Sequence, residues 1–329
     1  EERGMGKAER ITLKEAGALI QDGDMLSFSG FTIWRRPMAL VYEMVRQGKK
    51  NLHLFEVNGG THTEVLAGAG AVKIWESCWV GHELYGKLGE GVARGQCEKS
   101  MIVEDYSHGQ AVARLLAGAY GLPFFPTALS MGTDILNPQY DMLKIAGLRD
   151  GSNPKIPRQK YTVSGDPFYD MGEILLMPAA NPNWALVYAS QVGDEGTLRV
   201  NAQTYTDAEV IKAADKVIVL AEEVVPDSYL RSEPEKNIAT GYSIDYVVEL
   251  PWSAHPTGSQ GYYDVDADFI RNFYSASKSK AGYDKWAEEW IFGVDSHEQY
   301  LEKLGISNLE KLRANKVLGY STRVKRGSR

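Results

Sequence analysis

Ser27–Pro37 reads SFSGFTIWRRP, and the fold is decided there. The apolar run Met25–Phe28 predicts a strand. It ends in Ser29-Gly30-Phe31-Thr32, then Arg35 and Arg36, then Pro37. Proline suits a first helical position, because the N–H it lacks would be unpaired there in any case. Met38, Leu40, Val41, Met44 and Val45 follow at helical spacing. The unit is therefore strand–loop–helix with a glycine in the loop. Backbone N–H groups and two cations gathered at a helix start suit an oxyanion, a carboxylate or a phosphate. The same loop also serves as a plain turn in many α/β proteins.

Outward from this unit the pattern repeats. Ile11 to Asp22 reads as an amphipathic helix with Thr12 as N-cap. The helix from Pro37 stops near Gln47-Gly48, and a second strand covers Asn51 to Phe55. A short helix is expected over Leu66 to Gly70 and strands over Val72 to Trp75 and Ser100 to Val103. A helix is expected over Gly109 to Tyr120, stopped by Gly121-Leu122-Pro123. Residues 137–170, rich in Pro, Gly, Lys and Asp, read as an irregular excursion. Strands are expected again over Ile174 to Met177, Ala185 to Ala189, Lys216 to Ala221 and Tyr246 to Leu250, with a helix over Asp207 to Ala214. From about residue 266 to 312 the pattern is helical. Strands alternating with helices predict a mostly parallel open sheet covered on both faces. The reading is one α/β domain over residues 8–325, with a helical C-terminal extension. The charged start EERGMGKAER reads as a solvated lead-in without the apolar centre of a signal peptide, and residues 326–329 read as a tag remnant.

Composition narrows the functional classes. The 329 residues carry 36 Lys+Arg against 43 Asp+Glu, a net charge of −7, which argues against a general nucleic-acid binder. No run of about 18 apolar residues occurs, so no membrane span is expected. Cys78 and Cys97 have neither metal-ligand nor disulfide spacing, and read as reduced thiols of a cytoplasmic protein. There is no phosphate loop, no dinucleotide glycine fingerprint, no zinc-binding histidine pair and no G-x-S-x-G elbow. His53, His82 and His108 read as surface or core residues.

Carboxylates and arginines near strand ends remain, and ligands on parallel sheets bind beyond the carboxyl ends of strands. Glu56 follows the second strand directly and precedes Asn58-Gly59-Gly60. It is either a nucleophile or base beside glycine N–H groups, or a turn glutamate in solvent. Glu104 is either a base or an arginine's partner, or incidental beside a cap made by Asp105 or Ser107. Arg35 and Arg36 either clamp an anion or are surface charge. Arg35 is expected to face the pocket, holding a substrate carboxylate or pairing with Glu104.

An ordered set of short motifs then covers nearly the whole chain. It runs Gly30-Phe31-Thr32-x-x-Arg35-x-Pro37, Glu104-Asp105-Tyr106-Ser107, Gly121-Leu122-Pro123-Phe124-x-Pro126 and Asp194-x-Gly196-Thr197. It continues through Glu222-Glu223, Ala254-His255-Pro256, Gly261-x-Tyr263-x-x-Asp266, Tyr300-Leu301-x-Lys303-Leu304-Gly305 and Gly319-Tyr320. Together they resemble the alpha chain of family I CoA-transferases, the glutaconate type in particular. The resemblance implies the open α/β fold shared with sugar-phosphate isomerases. It implies an enzyme that moves CoA between an acyl-CoA and a (di)carboxylic acid. It also implies a hetero-oligomer, A2B2 or larger, with the active site at the interface between alpha and beta chains and the catalytic glutamate on the beta subunit. No tightly bound cofactor is implied; coenzyme A enters as part of the substrate. Ser29, Gly30, Phe31, Thr32 and Arg35 become the substrate- and oxyanion-binding candidates. Glu104 becomes the acid–base candidate, with Glu56 as the alternative catalytic carboxylate. Two departures stand out: Ser29 occupies a position where relatives often have glycine, and Glu56 sits where the beta subunit carries its own glutamate. Related assemblies include ring-opening acyl-CoA hydrolases and a decarboxylase. A non-catalytic acyl-CoA or organic-anion binding protein is the reading outside enzymes.

Overall fold

The computed structural model describes residues 8–170, 172–201 and 203–325. The expected lead-in over residues 1–7 and the expected tag remnant at 326–329 lie outside the described residues. In chain order the strands are β1 (Glu9–Arg10), β2 (Met25–Phe28), β3 (Leu52–Phe55), β4 (Val72–Ser77), β5 (Ile102–Asp105), β6 (Phe124–Thr127) and β7 (Thr162–Gly165). There follow β8 (Glu173–Pro178), β9 (Trp184–Gly193), β10 (Leu198–Arg199), β11 (Lys216–Val225), β12 (Asn237–Ala239) and β13 (Tyr246–Glu249). The main sheet runs β1-β13-β11-β9-β2-β3-β4-β5, and every pairing along that path is parallel. Strands β10 and β12 form an antiparallel annex beside β9. A separate antiparallel sheet, β6-β8-β7, lies off the main one.

Strand β9 is buried along its whole length, as a central parallel strand must be. Its alternate side chains feed two cores. Leu186 joins Leu26, Phe28, Leu40 and Leu220 on one face, while Ala185 and Val187 join Met25, Leu115, Val210 and Val219 on the other. The chain runs from β2 outward to β5, then returns to β9 and builds the other half. The switch in order therefore falls between β2 and β9, the place where such sheets open a ligand crevice at their carboxyl ends.

The expected elements appear with small shifts. Helix Leu13–Leu19 starts at Thr12, whose hydroxyl accepts from Glu15 N while the Glu15 carboxylate accepts from Thr12 N. Helix Met38–Arg46 follows Pro37 and ends before Gly48 at φ +70°. Ser107, not Asp105, caps helix His108–Ala119. Two expectations change. The short helix begins at Thr61 rather than Leu66. The strand near residue 100 runs to Asp105, so Glu104 lies inside it and not beyond its end. The helical C-terminal region is present as expected, and its Phe269, Phe273, Tyr283, Trp286 and Tyr300 share the core of Leu26 and Leu40. The excursion at 137–170 carries a helical turn, Met142–Ile145, and strand β7.

One buried acid anchors the C-terminal segment to β11. Glu222 accepts from the hydroxyl of Tyr263 (2.5 Å) and from Trp252 N (2.7 Å). Burial, only partly offset by those bonds, pushes its pKa up to about 7. Its pKa in the unfolded chain is near 4.3, so folding favours the protonated form. The stability it contributes is whole below about pH 4 and declines as pH rises toward 7. Glu222→Gln mimics the protonated acid. The stability of that variant relative to the parent should rise by up to about 3 kcal/mol between pH 4.5 and 8. Urea unfolding across that range checks it, and parallel pH profiles for the two proteins would refute it.

Candidate active site

The loops after β2, β3 and β5 meet the turn before helix Asp207–Ala213 around a cleft of about 210 Å³. Phe28, Phe31, Val57 and Tyr205 give it apolar walls; Arg36, Glu56, Asn58, His108 and Thr206 give it polar ones. It stands at the carboxyl ends of β2 and β3, beside the switch between β2 and β9.

The β2 loop is held by its own backbone. Ser29 N donates to Leu186 O, Gly30 N to Asp207 Oδ1 at 2.6 Å and Phe31 N to Trp34 O. These three N–H groups are therefore engaged inside the chain, against the expectation that they stand open for an oxyanion. Ser29 explains its departure from glycine: its Oγ accepts from Tyr188 N at 2.8 Å, stitching β2 to β9. Gly30 has φ +80°, and a Cβ there would stand 2.3 Å from Trp34 O. No other residue fits. Thr32 is buried, and its hydroxyl has no hydrogen-bond partner.

The two arginines are both interior. Arg35 does not reach Glu104; it grips Asp207 through Nη1–Oδ1 (3.3 Å) and Nη2–Oδ2 (3.1 Å). That fork is a bidentate pair with both partners buried. Arg36 lines the cleft. Its Nη1 donates to Ser29 O (2.9 Å) and its Nη2 to Asn58 O (2.6 Å). Burial lowers its pKa to about 10, so it stays charged at neutral pH.

Glu56 is buried in the cleft wall rather than solvated. Its Oε1 accepts from Thr63 Oγ1 (2.6 Å) and Trp75 Nε1 (2.8 Å), and its Oε2 from His62 Nε2 (2.5 Å). Burial opposes ionisation, but His62, then Arg36 and Thr63, hold the carboxyl below its usual range. His62 itself is pushed down to about 4 by burial and by Arg36, so at neutral pH it is a neutral donor to Glu56. Glu56 is thus an ionised carboxylate with three donors, lying beside a buried guanidinium.

Glu104 stands apart from these cleft residues, under the excursion. It accepts from Leu143 N (2.8 Å) and pairs with Lys160 Nζ (2.6 Å), with Arg149 at 3.8 Å. Burial raises its pKa despite Lys160. In the neighbouring strand Glu76 faces the same slab of charge, bonded by Arg114, His53 and Tyr106. Among the described residues there is no cluster of metal-ligating side chains and no helix long and apolar enough to cross a membrane. Cys78 and Cys97 are unpaired.

Residue-type reasoning misses Asp207, His62, Thr63 and Tyr205. His108, read as a surface or core histidine, lines the cleft, with its Nε2 3.0 Å from Asn58 Nδ2. The spacing Glu56…His62-Thr63 is the one available signal: a strand-end carboxylate followed by donors in the next helix turn.

The coenzyme A transferase profile matches residues 10–250, and the chain belongs to that family. It is 30% identical to the A-type chain of glutaconate CoA-transferase from Acidaminococcus fermentans, over 94% of this chain and 96% of that one. The crystal structure of that enzyme superposes with a TM-score of 0.88, covering 95% of this chain and 98% of the other. The A-type chain of 3-oxoadipate CoA-transferase from Pseudomonas knackmussii is 26% identical over 90% of this chain and 98% of its own. The IpdA chain of a cholesterol ring-cleaving hydrolase from Rhodococcus jostii is 25% identical over 88% of this chain and 94% of its own.

Glu56→Gln removes the charge that three donors and Arg36 share. It should lower stability by about 1.5–3 kcal/mol, the worth of a hydrogen bond to a charged group. Urea denaturation measures this; an unchanged midpoint would mean that Glu56 does not hold the cleft wall.

Proposed function

We propose that this chain is the alpha half of a heteromeric CoA-transferase that moves CoA between an acyl-CoA and a carboxylic acid. The nucleophilic carboxylate comes from a beta-type partner seated over the cleft. One observation carries this reading. Glu56 is the single carboxylate lining the cleft among the described residues, and both its oxygens are occupied by donors. Three donors and burial make Glu56 a poor nucleophile, although Oε2 keeps a lone pair, and this favours an attacking group that arrives from outside this chain.

The chemistry follows in balanced steps. The partner carboxylate attacks the thioester carbonyl, the CoA thiolate leaves and an acyl–glutamyl anhydride forms. The thiolate then attacks the glutamyl carbonyl, which releases the first acid and leaves a glutamyl-CoA thioester. The second acid's carboxylate repeats the sequence in reverse. This chain supplies a walled cleft at the sheet's carboxyl edge and a charged guanidinium in Arg36. Arg36, Arg35, Glu56 and Asp207 sum to zero charge, so an arriving carboxylate meets no net repulsion from this buried quartet.

The hydrolase reading rests on Glu104. Its raised pKa suits a base, but Lys160 and Leu143 N must release it first. In that reading Glu104→Gln abolishes turnover of the complex. On the reading proposed here it loosens the excursion and leaves kcat within about threefold of the parent. Limited proteolysis of residues 137–170 beside steady-state kinetics separates the two.

The direct test is co-purification with a beta-type chain, then incubation with glutaconate and acetyl-CoA. Transfer is expected only in the complex. Borohydride or hydroxylamine trapping, read by peptide mass, should label a partner glutamate. A label on Glu56, or turnover by the purified chain alone, would overturn the assignment.

A further inference from the structure

Asp207 is a fully buried carboxylate outside the residues that line the cleft, yet it binds the backbone at both ends of the cleft's Phe31–Tyr205 wall. From the β2 loop it accepts Gly30 N at 2.6 Å and the fork of Arg35. From the turn before its own helix it accepts Tyr205 N through Oδ2 at 3.0 Å. Arg35 closes the ring by donating to Gln203 O at 2.8 Å. The Tyr205 ring then lies 4.5 Å from Phe31, nearly parallel to it at 21°, and the Arg35 guanidinium sits 5.7 Å from the Tyr205 centroid.

The β2 loop depends on these bonds. Thr32 at φ +43° and Arg35 at φ +54° hold left-handed backbone that residues other than glycine rarely adopt. Such conformations persist only where the surroundings over-determine them. A carboxylate with donors on both oxygens has one orientation, and it transmits that orientation to Gly30 and Tyr205 alike. Arg35 and Arg36 are consecutive, so the first also fixes where the second enters the cleft.

We propose that Asp207 is a positioning residue: it holds the stacked Phe31–Tyr205 pair in place as one wall of the cleft, and so sets which acyl group the cleft admits. This rests on the CoA-transfer reading. Asp207→Asn keeps an acceptor for Gly30 N but points an N–H₂ toward Arg35 and Tyr205 N. A companion double variant, Arg35→Met with Asp207→Asn, removes the stranded buried cation and should recover the thermal stability that the single variant loses.

Two measurements decide the matter. Hydrogen exchange of the full-length chain alone needs no partner and no substrate. Amides in segments 29–36 and 203–207 should exchange about tenfold faster in both variants, while strand β11 in the double variant matches the parent. Kinetics of the complex with acetyl-CoA and glutaconate should show KM for the acid raised about tenfold with kcat within about threefold. Parental exchange in the two segments of the stabilised double variant would overturn the proposal, as would faster exchange with an unchanged KM. Absence of CoA transfer by the parent complex would count against the transferase reading instead, and the exchange experiment would still decide whether Asp207 holds the stacked pair.

Discussion

Arg36 is a guanidinium shut away from water, with backbone carbonyls rather than a carboxylate as its direct hydrogen-bond partners. Desolvating such a charge is expensive unless dipoles replace the lost water. Here they come from Phe28 and Ser29 at the end of β2 and from Asn58 beyond β3, with the ionised Glu56 close enough to bias the balance. The cation therefore serves as a clamp between two loops that adjoin in space but belong to successive strands. Its own backbone N–H donates to Thr257 Oγ1, which brings in the segment after β13. Three distant stretches of chain thus converge on one charge, and the cleft takes its shape from that convergence.

A second buried charge system lies along β4 and β5. Glu76 and Glu104 are register partners, and two like charges at that spacing repel unless each is neutralised. Arg114 from the following helix answers the first; Lys160 and Arg149 from the excursion answer the second. The excursion is therefore part of the sheet's electrostatic closure. Leu143 and Ile156 reinforce it by packing on Ile74.

Much of this architecture is legible in residue order. The Met25–Phe28 run, Pro37 and the helical spacing behind it announce β2 and its helix. Thr12 with Glu15, and Ser107 with Gln110, act through bonds three residues long, and local sequence encodes such bonds directly. What escapes is long-range. The partner of Arg35 lies 172 residues away, and nothing near Arg35 marks it. Glu56 followed by asparagine and glycines looks like a solvated turn, because polarity is identical for a turn in water and a turn packed against Trp75. Helix Glu90–Cys97 has two glycines and one large aliphatic side chain, so its periodicity is faint. The apolar pattern before Glu104 stops at Val103 while the strand continues to Asp105, enough to move Glu104 from the cleft edge to the underside of the excursion.

Gly60 immediately precedes the helix after β3, and a Cβ there would come within 2.2 Å of Thr32 O. The loops after β2 and β3 are in backbone contact with no side chain between them. Closing either loop further would drive one backbone into the other, and Arg36, bonded to Ser29 O and Asn58 O, resists their parting. The crevice is consequently preorganised. A ligand entering it loses little free energy to ordering the protein, and selectivity depends on shape complementarity rather than on induced closure of this chain.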